Sequence, residues 1–298
     1  MISGLDCPAK GPAAALFPLP ADSGDRALCS LPKSRIGLFP PTPTKVMRTI
    51  TLSGILLLGV SALAHAQTPA TDPVAITILD RMADNIGALH ACSFHLEGVQ
   101  DAFDDKAGTI VKRHNNHEVS IVGPDKMLVI STGDGGHRSY WYDGKVVVYY
   151  SFDENNFARI AAPPTVIGAI DSLHAAYGID FPAADFIYPS FVDDLIAQSE
   201  RVVYLGTVKI GSKECFHIAA KGAEQDVEFW IASDAATFPV KYVVRSKDKA
   251  QPMEFEGTFT NWQINPDLPS TMFGFTPPPG ARQVGILARD SKRSGGQP

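Results

Sequence analysis

The sequence predicts an α+β protein built on a strongly curved antiparallel sheet of about ten strands, an incomplete barrel. Two blocks of alternating apolar and polar residues predict about five strands each, and hairpin-length connections make their pairing antiparallel. A helix precedes the first block, and a helical insert separates the two. Because a sheet this wide must curl to bury its apolar face, we expect the insert to cover the concave side.

The first 66 of the 298 residues predict export from the cytoplasm. Residues 47–49 carry a positive charge, residues 50–63 are apolar, and residues 64–66 read Ala-His-Ala, so 47–66 resembles a secretory signal peptide cleaved after Ala66. Gln67 follows the cut where a lipid anchor would need Cys, so we expect a periplasmic protein without an anchor. Residues 1–46 are interpreted as a non-structural leader or a mis-set start, with a regulatory extension as the alternative.

Charge and hydropathy exclude several partners for the exported part. Removing residues 1–66 takes away six of the 26 Lys and Arg and three of the 32 Asp and Glu, which leaves a net charge of −9. Nucleic acids and anionic membranes both attract clustered positive charge. No second apolar stretch has membrane-spanning length. We therefore expect no nucleic-acid partner and no stable membrane insertion.

The first half of the exported part begins with a helix. Asp72 and Pro73 are typical of a helix start, and apolar residues follow at positions 74, 78, 82 and 86. From Cys92 the apolar period changes to two, which places Phe94 and Leu96 on one strand face. Further strands are predicted at 108–122, 126–131, 137–142 and 145–152. Gly- and Asp-rich turns at 123–125, 133–136 and 143–144 separate them.

The second half begins with the helical insert, residues 163–199. Its apolar stripe consists of Val166, Ile167, Ile170, Leu173 and Tyr177, and the prolines at 182 and 189 divide the segment into short pieces. Strands are predicted again at 201–210, 213–220, 225–232, 239–247 and 252–264. We interpret 67–290 as a single half-barrel domain and 291–298 as a disordered tail.

Two cysteines, Cys92 and Cys215, remain after the predicted cleavage. In an oxidising compartment they could form one disulfide, and the alternative is a pair of buried thiols. Cys92 is in phase with the apolar face of its strand. Around Cys215, the bulkier Phe216 and Ile218 should claim the interior and turn the thiol outward, which argues against a bridge.

Two pairs of polar residues have spacings that could indicate chemistry. His114 and His117 lie three apart on a strand, so they face opposite sides and cannot share a metal ion. A solvated strand face is the expected environment for them. Asp171 and His174 lie three apart on a helix and share a face, so they could form an acid–base pair, a surface ion pair or a cap.

Cys215 and His217 lie two apart on a strand and face the same way. A thiolate beside an imidazole would be a nucleophile, which makes a Cys-dependent hydrolase one hypothesis. The sequence contains no nucleophile elbow, phosphate loop or zinc-spaced cluster. We therefore predict no catalytic residue, no metal and no cofactor.

Several motifs of the second half resemble a bacterial family of predicted periplasmic proteins of unknown function (domain of unknown function 2092). They are Gly-Ser-Lys-Glu-Cys-Phe-His-Ile at 211–218, Asp-Val-Glu-Phe-Trp-Ile at 226–231, Phe-Pro-Val-Lys at 238–241 and Phe-Gly-Phe-Thr-Pro-Pro at 273–278. The order of elements also resembles the half-barrel of lipoprotein localisation factors and related mycobacterial lipoprotein carriers. The likeness covers most of 73–284. It implies this fold, a periplasmic location and, by analogy, a lipid-carrying function.

The resemblance and the apolar composition together favour a carrier for a hydrophobic ligand, either a lipid or the acyl chain of a lipoprotein. Its cavity would lie between sheet and helices. The candidate lining residues are Phe94, Leu96, Trp141, Tyr149, Val166, Ile167, Ile170, Leu173, Phe186, Phe191, Phe229, Tyr242, Phe255 and Phe259. The alternative is a non-catalytic envelope scaffold with a filled core, in which residues 133–143 on an outer face would bind an envelope partner.

Overall fold

The computed structural model describes residues 71–248 and 252–289. The predicted leader, signal peptide and tail lie outside the described residues. The helices are α1 (Pro73–Gly87), α2 (Val166–Tyr177) and α3 (Phe191–Gln198), with 3-10 helices at Ala184–Ile187 and Ser270–Phe273. The strands are β1 (Ala91–Asp104), β2 (Thr109–Val122), β3 (Lys126–Gly133), β4 (Arg138–Tyr142), β5 (Val146–Ser151), β6 (Asn156–Ala161), β7 (Ser199–Ile210), β8 (Lys213–Gly222), β9 (Gln225–Ala232), β10 (Pro239–Ser246), β11 (Glu254–Ile264) and β12 (Arg282–Gln283).

All twelve strands of the described residues form one curved, unclosed sheet in the order β12-β6-β5-β4-β3-β2-β1-β11-β10-β9-β8-β7. Every neighbouring pair is antiparallel except β12 and β6. The predicted α+β class and curved antiparallel sheet are confirmed. The sequence did not predict two of the twelve strands. These are β6, in which buried and exposed residues do not alternate cleanly, and β12, which has only two residues.

Helix α1 begins where the capping signal predicted. The Asp72 carboxylate accepts a hydrogen bond from the Val74 backbone N–H at 2.9 Å, and Pro73 occupies the first turn. The buried stripe of α1 consists of Ala75, Ile78, Leu79, Met82 and Ile86. The placement of Val74 on this stripe is wrong: its side chain is 51% exposed, because Ala75 takes the first buried position.

The helical insert divides at the predicted prolines. In α2 the Thr165 side chain accepts from the Gly168 N–H, and Gly178 ends the helix in the left-handed conformation. The buried stripe of α2 consists of Val166, Ala169, Ile170 and Leu173. Ile167 is only partly buried, because it lies one residue, about 100° around the helix, from Val166.

The concave face of the sheet and the three helices bury one apolar core that draws on both halves of the chain. A smaller cluster on the outer face contains Val148, Tyr150 and Phe157, with Trp141 and Phe275 packed against it. Phe275 belongs to the segment that follows β11. This segment crosses the outer face, pairs through β12 with β6, and contacts α2 through the Arg289 N–H, which donates to the carbonyl oxygen of Ala176.

Candidate functional site

A cavity of about 30 Å³ lies between the concave face and the helical insert. Its sheet side consists of Phe94, His117, Val119, Ile121, Met127 and Val129, and its insert side of Ile170, Ile187 and residues 181–184. This volume accommodates one or two water molecules, whereas a cavity that encloses a drug-sized ligand is roughly ten times larger or more. In this conformation the cavity is therefore too small for such a ligand.

Most of the predicted lining residues pack in the apolar core on the concave face. Twelve of the fourteen belong to the concave-face core: Phe94, Leu96, Tyr149, Val166, Ile170, Leu173, Phe186, Phe191, Phe229, Tyr242, Phe255 and Phe259. Of these, Phe94 and Ile170 border the cavity. Phe186 is central, since its ring makes edge-to-face contacts with Phe229, Tyr242 and Phe259.

The expectation that Trp141 lines the interior is wrong. Tyr140 and Tyr142 belong to the concave-face core, so alternation along β4 turns Trp141 to the outer face. There its ring centroid lies 4.9 Å from that of Phe275. Three consecutive aromatic residues leave the phase of a strand ambiguous, and this ambiguity explains the error.

His117 is the polar residue of the cavity wall, and sequence reasoning missed it. Its side chain is 6% exposed, and Nδ1 lies 2.8 Å from Ser131 Oγ. The expected solvated face is therefore correct for His114, which is exposed, and wrong for His117. Burial, helped by the nearby charges of Arg138 and His95, lowers the pKa of His117 to about 4. The imidazole is thus neutral near pH 7 and can both donate and accept hydrogen bonds.

His117 begins a row of polar residues that crosses five strands. The strand register pairs His117 with Ser131, Ser131 with Arg138, Arg138 with Ser151, and Ser151 with Asn156. Directly paired residues of antiparallel strands share a face, so this polar row lies on the concave side. All its members except Arg138 are at least nine-tenths buried. No local motif reveals it, because each residue comes from a different strand.

The cap segment, residues 178–190, forms most of the insert side of the cavity and carries strain. Ala183 adopts φ 64°, a left-handed conformation that costs a non-glycine residue about 1–2 kcal/mol. Beneath the segment, the Tyr242 hydroxyl is buried and has no hydrogen bond of normal geometry among the described residues. Burial, with the nearby Asp185 carboxylate, raises the pKa of Tyr242 well above its usual value, and the nearby backbone of Ala183 partly opposes this shift.

Asp171 and His174 do not form the suggested acid–base pair. His174 Nδ1 lies 2.5 Å from Asp180 Oδ1, and the Tyr188 hydroxyl donates to Asp171 Oδ1 at 2.9 Å. Both contacts link α2 to the cap segment that follows it. These two contacts therefore stabilise the packing of the cap segment against α2.

Cys215 and His217 face the same side of β8, as the spacing predicts, but that side is the outer one. Cys215 is fully buried beside Ala232 and Val240, and burial is the main cause of the raised pKa of its thiol. His217 stacks on Trp230 and lies 2.7 Å from a carboxylate oxygen of Glu228. A protonated, enclosed thiol is a poor nucleophile, so the geometry does not favour a hydrolase.

The suggested disulfide does not form. Cys92 and Cys215 are both free, and they lie on opposite faces of the sheet. Strands β11, β10 and β9 lie between β1 and β8 in the sheet, so the two residues are separated by roughly 19 Å across the strands. This distance greatly exceeds bridging range. Burial raises the pKa of the Cys92 thiol to about 11.

Residues 71–248 and 252–289 contain no cluster of three or more His, Cys, Asp or Glu side chains that could hold a metal ion. Across the same ranges, no helix is both long and apolar enough to span a membrane.

A family model described as "Predicted periplasmic protein (DUF2092)" matches residues 75–287, which is most of the chain. The chain belongs to this family. The resemblance noted in the sequence is therefore confirmed for the family. A comparison with curated protein sequences finds no match.

Solved structures with a similar fold include three from different bacteria. An uncharacterized conserved protein from Thermus thermophilus is 12% identical with a TM-score of 0.43, and covers 71% of this chain and 98% of its own. The Mycobacterium tuberculosis lipoprotein LppX is 14% identical with a TM-score of 0.38, covering 67% and 99%. A LolA superfamily protein, NE2245 from Nitrosomonas europaea, is 10% identical with a TM-score of 0.32, covering 67% and 97%.

Proposed function

We propose that this DUF2092 protein is a non-catalytic periplasmic binding protein for a hydrophobic ligand, such as a lipid or the acyl chain of a lipoprotein. The ligand would lie between the concave face and the helical insert. The cavity there, bounded by a strained cap segment, is the observation that carries the proposal. Export would proceed by cleavage after Ala66, without a lipid anchor.

The walls of the cavity suit an apolar guest. Except for His117, its lining consists of aliphatic, aromatic, methionine, alanine and proline side chains. Burial of an acyl chain contributes about 0.8 kcal/mol per methylene, so a chain of moderate length would bind without any catalytic group. The wall therefore favours apolar ligands and places few other constraints on their structure.

The cap segment must move for such a ligand to enter, because the existing volume is far too small. Two features disfavour its closed position: the left-handed backbone of Ala183 and the Tyr242 hydroxyl buried without a partner of normal geometry among the described residues. The first costs about 1–2 kcal/mol and the second about 1–3 kcal/mol. Both costs oppose the ring contacts of Phe186 and the ties of Asp180 and Tyr188 to α2, and so they lower the free energy that local opening requires.

The same small volume favours a second candidate, an envelope scaffold whose filled core only supports an outer surface. Under that function the interior would never open, and partners would contact exposed positions within residues 133–143, such as 133–135, where β3 ends and the chain turns toward β4. The two candidates differ in one measurable respect, namely whether an apolar molecule enters the interior.

Native mass spectrometry of protein purified from a bacterial periplasm tests the proposal, together with titration by a fluorescent fatty acid. A co-purified lipid or saturable binding is expected. In Ala184→Phe a ring projects from the cap into the cavity and should abolish binding. Ala175→Phe is the matched control, since Ala175 lies on the exposed side of α2 and should leave binding intact. Absence of both lipid and binding in the wild type would favour the scaffold.

A further inference from the structure

The apolar cavity ends at a polar rim. Along β2, Val119 and Ile121 form the apolar wall, and His117 lies at one end of it. Asn115 lies two residues beyond His117 on the same face of β2. Its side-chain oxygen accepts a hydrogen bond from the Gly135 N–H at 3.4 Å. The distance along β2 from His117 to Ile121 is roughly 13 Å.

Arg138 supplies a positive charge at this rim. Its guanidinium donates to the carbonyl oxygen of Gly135 at 3.2 Å, and it forms no ion pair with any described residue. By contrast, Arg113 pairs with Asp104, and Arg245 pairs with Glu228 and Glu254. The charge of Arg138 is therefore available to a ligand.

His117 supplies a hydrogen-bond donor to the same ligand group. His117 makes one hydrogen bond among the described residues, through Nδ1 to Ser131, which leaves Nε2 at the cavity wall. A buried N–H group without a partner among the described residues is costly in a merely structural role, so an anionic oxygen that accepts from Nε2–H would lower this cost.

We propose that His117 and Arg138 bind the anionic head group of an amphiphile whose apolar chain occupies the cavity, and that Ser131 orients the imidazole by donating its hydroxyl proton to Nδ1. This inference rests on the proposed function and names its ligand class: a single anionic oxygen group, carboxylate or phosphate, on an alkyl chain. The neutral imidazole donates an N–H to the anion, and Arg138 supplies the opposite charge. Both interactions are strengthened because the rim is partly withdrawn from water.

Three probes with the same chain length test this assignment on the exported protein: laurate, dodecyl phosphate and dodecanol. We expect at least one of the two anions to bind on the order of tenfold more tightly than dodecanol, as a charge-assisted hydrogen bond predicts. The anion that binds more tightly identifies the head group as carboxylate or phosphate. Arg138→Gln should remove this preference and leave dodecanol binding unchanged.

Arg159→Gln is the matched control, because Arg159 is exposed and pairs in register with Val148 of the outer face, so the anion preference should persist. His117→Gln is a second variant, which should reduce the preference even if Arg138→Gln fails to fold. Equal binding of all three probes to the wild type would overturn the head-group site and leave the proposed function standing. Failure of all three to bind would overturn the proposed function itself.

Discussion

His117 Nδ1 on β2 lies 2.8 Å from Ser131 Oγ on β3, and both side chains are more than nine-tenths buried. The contact fixes the imidazole against the sheet at the polar end of an otherwise apolar cavity. It also couples the protonation of His117 to folding, because a charged imidazole at this position would be desolvated and would face the charge of Arg138.

Stability should therefore fall as the pH falls from about 6.5 to about 4. In this range the unfolded chain binds a proton at residue 117 and the folded protein does not, since burial lowers the folded pKa to about 4. The contribution of this residue to the loss is at most about 3 kcal/mol. Urea denaturation of wild type and His117→Leu at several pH values measures it.

The variant should show a flatter dependence of unfolding free energy on pH between 4 and 6.5. His114→Gln serves as the control, because His114 is exposed on the same strand and should keep the wild-type slope. If His117→Leu and wild type have equal slopes, the imidazole is not held neutral by the fold.

The start of α1 should depend on a single carboxylate. Asp72 Oδ1 accepts from the Val74 N–H at 2.9 Å, and Oδ2 accepts from the Tyr204 N–H of β7 at 3.2 Å. Asp72→Ala should lower the free energy of unfolding by about 1–2 kcal/mol, as loss of a helix cap does. Asp72→Asn, which retains a capping oxygen, should cost less. Equal losses in the two variants would show that capping is not the cause.

Periodicity predicted nearly all helices and strands because local alternation determines which face of an element is buried. It failed where local sequence does not determine phase, as at Trp141 between Tyr140 and Tyr142. It also failed for His117, because a polar residue in a half-buried strand is expected to face solvent. The polar row depends on the register of five strands, which turns and long-range pairing set together, so no single stretch of sequence contains it.

Phe275 should contribute to holding the segment after β11 on the outer face. Its ring centroid lies 4.9 Å from that of Trp141 and 5.4 Å from that of Phe157. Phe275→Ala should cost about 2 kcal/mol of stability and speed proteolysis within residues 266–289. Ligand binding should be unchanged, because these rings pack on the face opposite the cavity. Lost binding with intact folding would place Phe275 in the functional site.

The thiols of Cys92 and Cys215 should remain free in protein exported to an oxidising compartment. Both are buried, and they lie on opposite faces of the sheet. We expect slow alkylation of the native protein and rapid alkylation of both residues after denaturation without a reductant. Peptide mapping by mass spectrometry identifies the labelled residues. A disulfide-linked pair of peptides containing residues 92 and 215 would contradict this strand arrangement.

The last prediction concerns the closed position of the cap segment. The Tyr242 hydroxyl is buried there, and the described residues offer it no hydrogen bond of normal geometry. Because an unsatisfied buried hydroxyl costs about 1–3 kcal/mol, Tyr242→Phe should stabilise the protein. If the hydroxyl opposes closure, hydrogen exchange of residues 178–190 should slow at the same time, and ligand entry should slow with it.

Tyr142→Phe is the matched control for this change, since the Tyr142 hydroxyl donates to the carbonyl oxygen of Pro163 at the start of the insert. Removing it should lower the free energy of unfolding by about 1 kcal/mol. Thermal unfolding and hydrogen exchange therefore distinguish the two variants: Tyr242→Phe should raise stability and slow exchange, whereas Tyr142→Phe should lower stability. If Tyr242→Phe destabilises the protein as much as Tyr142→Phe, the hydroxyl is hydrogen-bonded to the nearby backbone of Ala183, and the closed cap segment does not carry this cost.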